Sequence, residues 1–298
     1  MRTCPHSVAL GMAQIKWPPV IARAAEIVES YSIPVTLRQT FYKLLMEGLI
    51  PNSDYAYKKL SAETADRRRA GEFPPLFDRG RGVLQPTSWE SPKEGVQALA
   101  TQYRVDRTAG QPVALWLGVE KNALAGLIQA WFDEISVPVL PLGGYSSESL
   151  DRQVKARVEA EGRPAVLVLS GDFDASGMDI SRSFVEMTSC WEKVHRIGLD
   201  EELIDRYGLP VLRGKTTDSR AAGFIAAHPE IHARHGFGAD EKGRPYPVQV
   251  ELDAVDPDEL RRLYQRVIDR YWDAAAFRAA LASEKRHRTV LRRLAEDL

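Results

Sequence analysis

The sequence predicts an α/β protein in which a helical N-terminal region precedes a sheet of mostly parallel strands. Up to Gly71, apolar residues recur at helical spacing. From about residue 112 onward, continuous apolar runs alternate with helical patterns, and strands that are apolar throughout are typical of a parallel sheet covered on both faces. At 298 residues, 44% of them hydrophobic, the chain is long enough for two domains with separate cores.

The N-terminal region contains three predicted helices. Residues 1–16 are expected to be a leader, and the first helix covers 19–31. Thr36 is the expected N-cap of the second helix, whose segment closes at Pro51. The third helical segment follows and stops at Gly71, because glycine readily adopts the left-handed conformation that ends a helix.

A stretch rich in Pro, Gly and Arg, FPPLFDRGRGVLQPTSW at 73–89, then suits a short hairpin. Three helices and a basic hairpin predict a CAP-like winged helix-turn-helix domain over 17–111, with its third helix in a groove of double-stranded DNA. The expected DNA contacts are Lys58, Lys59, Arg67, Arg68, Arg69, Arg79 and Arg81. The alternative is a small helical domain with solvated charges.

Residues 112–298 form the predicted second domain, in which a mostly parallel sheet is followed by a helical C-terminal extension. Its predicted strands are 113–119, 137–143, 165–171 and 246–252. Its predicted helices are 121–135, 148–161, 180–191, 257–272 and 274–296.

Three acids follow two of the predicted parallel strands. Glu120 follows the first strand, and Asp172 and Asp174 follow the third. Because the two aspartates are two residues apart, their side chains lie on the same side of an extended backbone. Ligands of parallel sheets gather at these carboxyl ends. Crowded carboxylates favour a cation between them, and an oxygen-only set suits Mg²⁺. The alternative, that the aspartates form a turn and Glu120 caps the next helix, stays open on spacing alone.

The segments GVEKNALAGL and VLVLSGDFDASGMDI together resemble the Toprim domain of topoisomerases, primases and some nucleases. The intervening GGYSSESLDRQ is similar to a segment of the topoisomerase VI A subunit and its meiotic double-strand-break relatives, and the chain looks most like the compact bacterial and phage mini-A members. The resemblance implies that Glu120, Asp172 and Asp174 hold Mg²⁺, with Mn²⁺ as a substitute, beside the scissile phosphate. It leaves Asp179 as a cap or orienting group.

The same resemblance implies a catalytic tyrosine. The segment TLRQTFYKL supplies Arg38, Phe41 and Tyr42, which match the Arg-x-x-[Phe/Tyr]-Tyr context of that family. Attack of Tyr42 on a DNA phosphate would give a phosphotyrosyl intermediate, with Arg38 favouring the phenolate. Because the tyrosine of one subunit meets the metal of the other in that family, a homodimer is implied.

Two alternatives to tyrosine transesterification stay open. In a hydrolytic Toprim nuclease, Tyr42 would lie at the edge of the core and metal-activated water would attack. In a non-catalytic DNA-binding regulator or scaffold, the fold would have lost activity. The chain has no Walker A sequence, so strand passage would need a separate ATPase partner.

Composition and charge limit the other function classes. Net charge is −1, with 15 basic and 11 acidic residues in 1–111, so any DNA affinity must come from a local patch. The absence of an apolar run of about 18 residues or a secretion signal predicts a cytoplasmic protein that does not enter membranes. Two cysteines give no disulfide framework. The roles of Glu251, Asp253 and the histidines at 228, 232 and 235 are left open.

Overall fold

The computed structural model describes residues 15–31, 35–77 and 86–298. These ranges contain twelve α-helices, a four-stranded parallel sheet and a two-stranded antiparallel ribbon, so the α/β prediction is confirmed. The chain divides into two compact units, Met1–Phe77 and Asp78–Leu298. No helix in the described ranges is long and apolar enough to cross a membrane.

The first unit contains three helices: α1 (Trp17–Ser30), α2 (Leu37–Met46) and α3 (Asp54–Ala70). Thr36 caps α2 in a capping box with Gln39, as the sequence predicts. Gly71 ends α3 with a φ of 75°, also as predicted. The three helices pack on one another around fully buried Leu44 and Leu60. Residues 78–85 of the predicted wing, with Arg79 and Arg81, lie outside the described residues.

The second unit is built on a parallel sheet with the strand order β2-β1-β3-β4. Its strands are β1 (Ala114–Val119), β2 (Val139–Pro141), β3 (Ala165–Gly171) and β4 (Lys193–Gly198). Every residue of β1 and β3 is buried, as their continuous apolar runs predict. The strand β4 was not predicted, because KVHRIG mixes charged and apolar residues. That composition suits its half-exposed place at the sheet edge.

Nine helices surround this sheet in the described part of the unit. They are α4 (Pro92–Gln102), α5 (Asn122–Trp131), α6 (Glu148–Glu161), α7 (Ala175–Thr188), α8 (Glu201–Tyr207), α9 (Ala221–Ala227), α10 (Pro229–His235), α11 (Pro257–Tyr271) and α12 (Ala274–Glu296). The predicted helix at 180–191 begins earlier than expected, because the side chain of Asp174 caps α7.

The segment 86–111 packs within the second unit. Helix α4 lies against α12, and Arg107 forms a buried ion pair with Glu284 of α12 at 2.7 Å. The boundary that the sequence suggested near residue 111 therefore falls inside the second compact unit. The long-range partner of Arg107 lies 177 residues away, which explains why local composition did not reveal this packing.

The predicted strand at 246–252 is much shorter than expected. Only Val248–Gln249 forms a strand, β6, which pairs antiparallel with β5 (Leu212–Arg213). The chain then makes a single bridge from Val250 to Phe173 and turns into a 3₁₀ segment at Leu252–Ala254. This bridge ties the segment to the loop that follows β3.

Candidate functional site

Glu120 lies at the carboxyl end of the parallel sheet, as expected. Its backbone amide donates to the carbonyl of Ser170 at 2.9 Å, and its carbonyl accepts from the amide of Gly143 at 2.8 Å. The register that places Val119 opposite Ser170 brings Glu120 beside Asp172. The Oε2 atom of Glu120 accepts a hydrogen bond from the backbone amide of Asp172 at 3.0 Å.

Two glycines make room for the carboxylate of Glu120. A Cβ atom at Gly171 would lie 2.7 Å from Glu120 Oε2. A Cβ atom at Gly177 would lie 2.8 Å from the same oxygen and 2.7 Å from the carbonyl oxygen of Asp172. Since such contacts are shorter than packed atoms tolerate, the carboxylate occupies space that only glycine at both positions leaves open.

The two aspartates of the DxD pattern are also held by backbone amides. Asp172, 7% exposed, accepts from the amide of Leu252 through Oδ1 at 2.7 Å. Asp174 accepts from the amide of Gly177 through Oδ1 at 2.7 Å and so caps α7. The other oxygen of each of the three carboxylates accepts no hydrogen bond from the described part of the chain. Each acid is thus oriented through one oxygen, and the second is left for another donor or a cation.

Two further acids join the cluster through the bridge between Phe173 and Val250, whose two hydrogen bonds measure 2.9 and 3.0 Å. This bridge places Glu251 and Asp253 beside Asp172. The two side chains are buried and both contact Lys121. The question that the sequence left open for Glu251 and Asp253 is answered: they are buried ion-pair partners at the site.

Lys121 and Arg196 bring positive charge to these acids. The Lys121 Nζ atom lies 3.1 Å from Asp172 Oδ1 and 2.7 Å from Asp253 Oδ2, and it also contacts Glu251. Arg196, on β4, donates to the carbonyl oxygen of Asp172 at 2.8 Å. The buried Nε of Arg196 has no hydrogen-bond partner within the described ranges. Neither cation was predicted from the sequence, although Lys121 directly follows Glu120.

Burial and mutual repulsion perturb the pKa values of the acids. Burial raises the pKa of Glu120, and the neighbouring charge of Asp174 raises it further. Burial, together with the charges of Glu251 and Glu120, outweighs the opposing charge of Lys121 and raises the pKa of Asp172 to about 7. Burial alone would lower the pKa of Lys121, but Asp253, Asp172 and Glu251 raise it above its usual range. The site therefore holds a charged lysine beside Asp172, whose carboxyl group resists ionisation, as does that of Glu120.

The donor chemistry of this cluster fits a hard divalent cation. All five acids offer oxygen, and five carboxylates against two cations leave three formal negative charges when every group is ionised. Among the described residues, no group of three or more His, Cys, Asp or Glu side chains is arranged to hold a metal ion as it stands. Binding an ion at Glu120, Asp172 and Asp174 would therefore require their unused oxygens to draw together.

Tyr42 and Arg38 lie together on α2 in the first unit. Tyr42 is 5% exposed, and its ring contacts that of Phe41 edge-to-face at 5.6 Å between centroids. The Arg38 guanidinium carbon lies 5.8 Å from the centre of the Tyr42 ring. This burial in an aromatic contact favours the alternative in which Tyr42 belongs to the core and is not a nucleophile.

Five of the predicted DNA contacts lie on α3, whereas Arg79 and Arg81 lie outside the described residues. Intrahelical ion pairs involve Lys59 and Arg67, both with Glu63, and Arg69 with Asp66. Arg68 donates to a backbone carbonyl within the same helix. Lys58 is exposed. Five basic residues against three acidic ones leave α3 with a charge of +2, so the helix carries a modest positive patch.

The remaining polar residues have structural partners. His228 pairs with Glu201 at 3.0 Å, and His232 accepts from the amide of Val248 at 3.0 Å. These contacts make His228 and His232 supports of the fold, whereas exposed His235 stacks on the ring of Phe237. Asp179 pairs with Arg182 at 2.6 Å and with Arg220 at 3.3 Å.

Comparison with protein-family models gave no match to this chain, and comparison with curated proteins gave none either.

Proposed function

We propose that this protein is a Mg²⁺-dependent DNA-cleaving enzyme that combines a winged helix with a Toprim-type site. One observation carries the proposal: Glu120, Asp172 and Asp174 lie at the carboxyl edge of a parallel sheet, each anchored through one oxygen with the second unused. Acids arranged this way, at the edge where parallel sheets bind ligands, suit phosphoryl transfer.

In this proposal, the residues of the site would hold the metal ion beside the reacting phosphate. Mg²⁺ held by the three carboxylates would neutralise charge that develops on the scissile phosphate. The backbone amides of Asp172, Leu252 and Gly177 hold one oxygen of each carboxylate, so that ion binding would have to move only the unused oxygens. In the proposal, the basic residues of α3 contact the backbone of duplex DNA, and the protein acts as a homodimer.

The nucleophile is proposed to be Tyr42, on the match of TLRQTFYKL with the tyrosine motif. Its hydroxyl oxygen would attack phosphorus and displace a sugar oxygen, which would take up a proton and leave a phosphotyrosyl bond. A second candidate, a hydrolytic nuclease using water, is favoured by one observation: Tyr42 is only 5% exposed. Under that mechanism, Tyr42 is part of the core of the first unit.

The test incubates supercoiled and linear DNA with the full chain and Mg²⁺ or Mn²⁺, then compares gels with and without protease treatment. Transesterification predicts a covalent protein–DNA adduct that disappears in Tyr42→Phe and in Asp172→Asn. Tyr57→Phe is the matched control, since Tyr57 contacts the same Phe41 ring and also loses only a hydroxyl. Cleavage that survives Tyr42→Phe but not Asp172→Asn would establish the hydrolytic mechanism. Salt-sensitive DNA binding without cleavage, alone or with an ATPase partner, would leave a non-catalytic DNA-binding protein.

A further inference from the structure

Lys121 forms the centre of a buried group of three carboxylates. Its ammonium lies 3.1 Å from Asp172 Oδ1, 2.7 Å from Asp253 Oδ2, and in contact with Glu251. The exposed fractions of the side chains are 19% for Lys121, 10% for Asp172 and 2% for Asp253. A lysine ammonium has three N–H donors, so three carboxylates match its capacity. An ammonium so occupied has no donor left for a substrate phosphate.

Asp172 is the carboxylate shared between this group and the proposed metal ligands. Its Oδ1 contacts the ammonium and the Leu252 amide, whereas its Oδ2 is unused within the described ranges. In two-metal phosphoryl-transfer sites, two ions about 3.5–4 Å apart are clamped by surrounding ligands. Asp172 has one oxygen on the lysine ammonium and the other oxygen unused, so it is placed like a carboxylate that bridges two cations.

We propose that the Lys121 ammonium occupies the second cation position of this acidic cluster, so that each chain takes up one divalent ion and not two. This inference rests on the proposed function, because it assumes that Glu120, Asp172 and Asp174 bind an ion. Lys121 is then a positioning residue: it fixes the orientation of Asp172 and supplies a permanent positive charge to Glu251 and Asp253.

The test counts bound ions by titrating the full chain with Mn²⁺, using calorimetry and the electron paramagnetic resonance signal of free Mn²⁺. We expect one ion per chain in the wild type. Lys121→Gln removes the charge but leaves the three carboxylates, so the number should rise to two. Lys121→Arg keeps the charge and should stay at one. Lys155→Gln, at an exposed lysine of α6, is the matched control and should also stay at one.

The outcomes separate this inference from the proposed function. Two ions in the wild type, or a single ion in folded Lys121→Gln, would overturn the role of Lys121 while leaving metal-dependent cleavage intact. No ion in the wild type would overturn both. Should Lys121→Gln fail to fold, Lys121→Met, which also removes the charge, takes its place with the same expected count of two, and two ions in the wild type would overturn the inference without any variant.

Discussion

Replacing Gly177 by alanine tests whether the close packing around Glu120 builds the site. The new Cβ atom would lie 2.7 Å from the carbonyl oxygen of Asp172 and 2.8 Å from Glu120 Oε2. The carbonyl belongs to the backbone at the end of β3 and cannot move without disturbing the hydrogen bonds of the Asp172 loop. We therefore expect the carboxylate of Glu120 to be displaced and the first turn of α7 to shift.

The magnitude follows from two opposing effects. Forcing an extra methyl group into a packed position costs about 1–3 kcal/mol. Alanine in place of glycine within a helix gains up to about 1 kcal/mol. Gly223 of α9 is the matched control, because it is also helical and a Cβ atom there meets nothing within 4 Å. The difference in the free energy of unfolding between Gly177→Ala and Gly223→Ala isolates the overlap, and we expect about 1–3 kcal/mol.

The assay is urea denaturation of both variants, followed by DNA cleavage in Mg²⁺. Gly177→Ala should be less stable than Gly223→Ala and should lose cleavage, whereas Gly223→Ala should cleave as the wild type does. If the two variants were equally stable and equally active, the 2.7 and 2.8 Å approaches would not constrain Glu120, and our account of this site would be refuted.

Three further predictions concern charge. Because the pKa of Asp172 is raised from 3.8 to about 7, the folded state holds this proton more tightly than the unfolded state; stability should fall as pH rises from about 4 to about 7. Asp172→Asn should remove up to about 4 kcal/mol of that fall, as measured by denaturation without divalent ions. Arg107→Met should cost up to about 3–5 kcal/mol, because the buried charge of Glu284 then keeps only Arg288, at 3.0 Å, as a cationic partner. Arg152→Met, in a mostly exposed pair, should change stability by less than about 1 kcal/mol, and an equal effect of the two substitutions would contradict the reasoning. Lys58→Ala should reduce the slope of log affinity for DNA against log salt by about 0.9, and an unchanged slope would remove Lys58 from the interface.

Local patterns predicted the elements of the fold better than their long-range packing. The apolar runs gave β1 and β3, and the capping residues gave the start of α2 and the end of α3. The pairing of Arg107 with Glu284 could not be predicted, since nothing in either segment indicates the other. The strand β4 was missed because an edge strand need not be apolar throughout.

The acids of the candidate site show the same difference between local features, which the sequence predicts, and tertiary contacts, which it does not. Glu120, Asp172 and Asp174 were predicted because Glu120 and Asp172 directly follow a strand and Asp174 lies two residues beyond Asp172, and strand ends are local features. Glu251 and Asp253 reach the site through one bridge between Phe173 and Val250, two residues 77 positions apart. That contact depends on tertiary structure, so the alternating pattern of 246–252 predicted a longer strand and left both acids unassigned.

The energetic cost of burying these acids supports the proposal that they form the functional site. A cavity of about 510 Å³ lies beside β2, but its charged residues Arg104 and Arg157 already contact Asp133 and the ring of Trp116. The space at Asp174 is smaller, about 190 Å³. Burying carboxylates whose pKa values are thereby raised costs stability, and apolar residues of similar volume would be tolerated at least as well in a purely structural role. Such a costly arrangement at the ligand-binding edge of a parallel sheet is typical of sites where the charges act on a substrate.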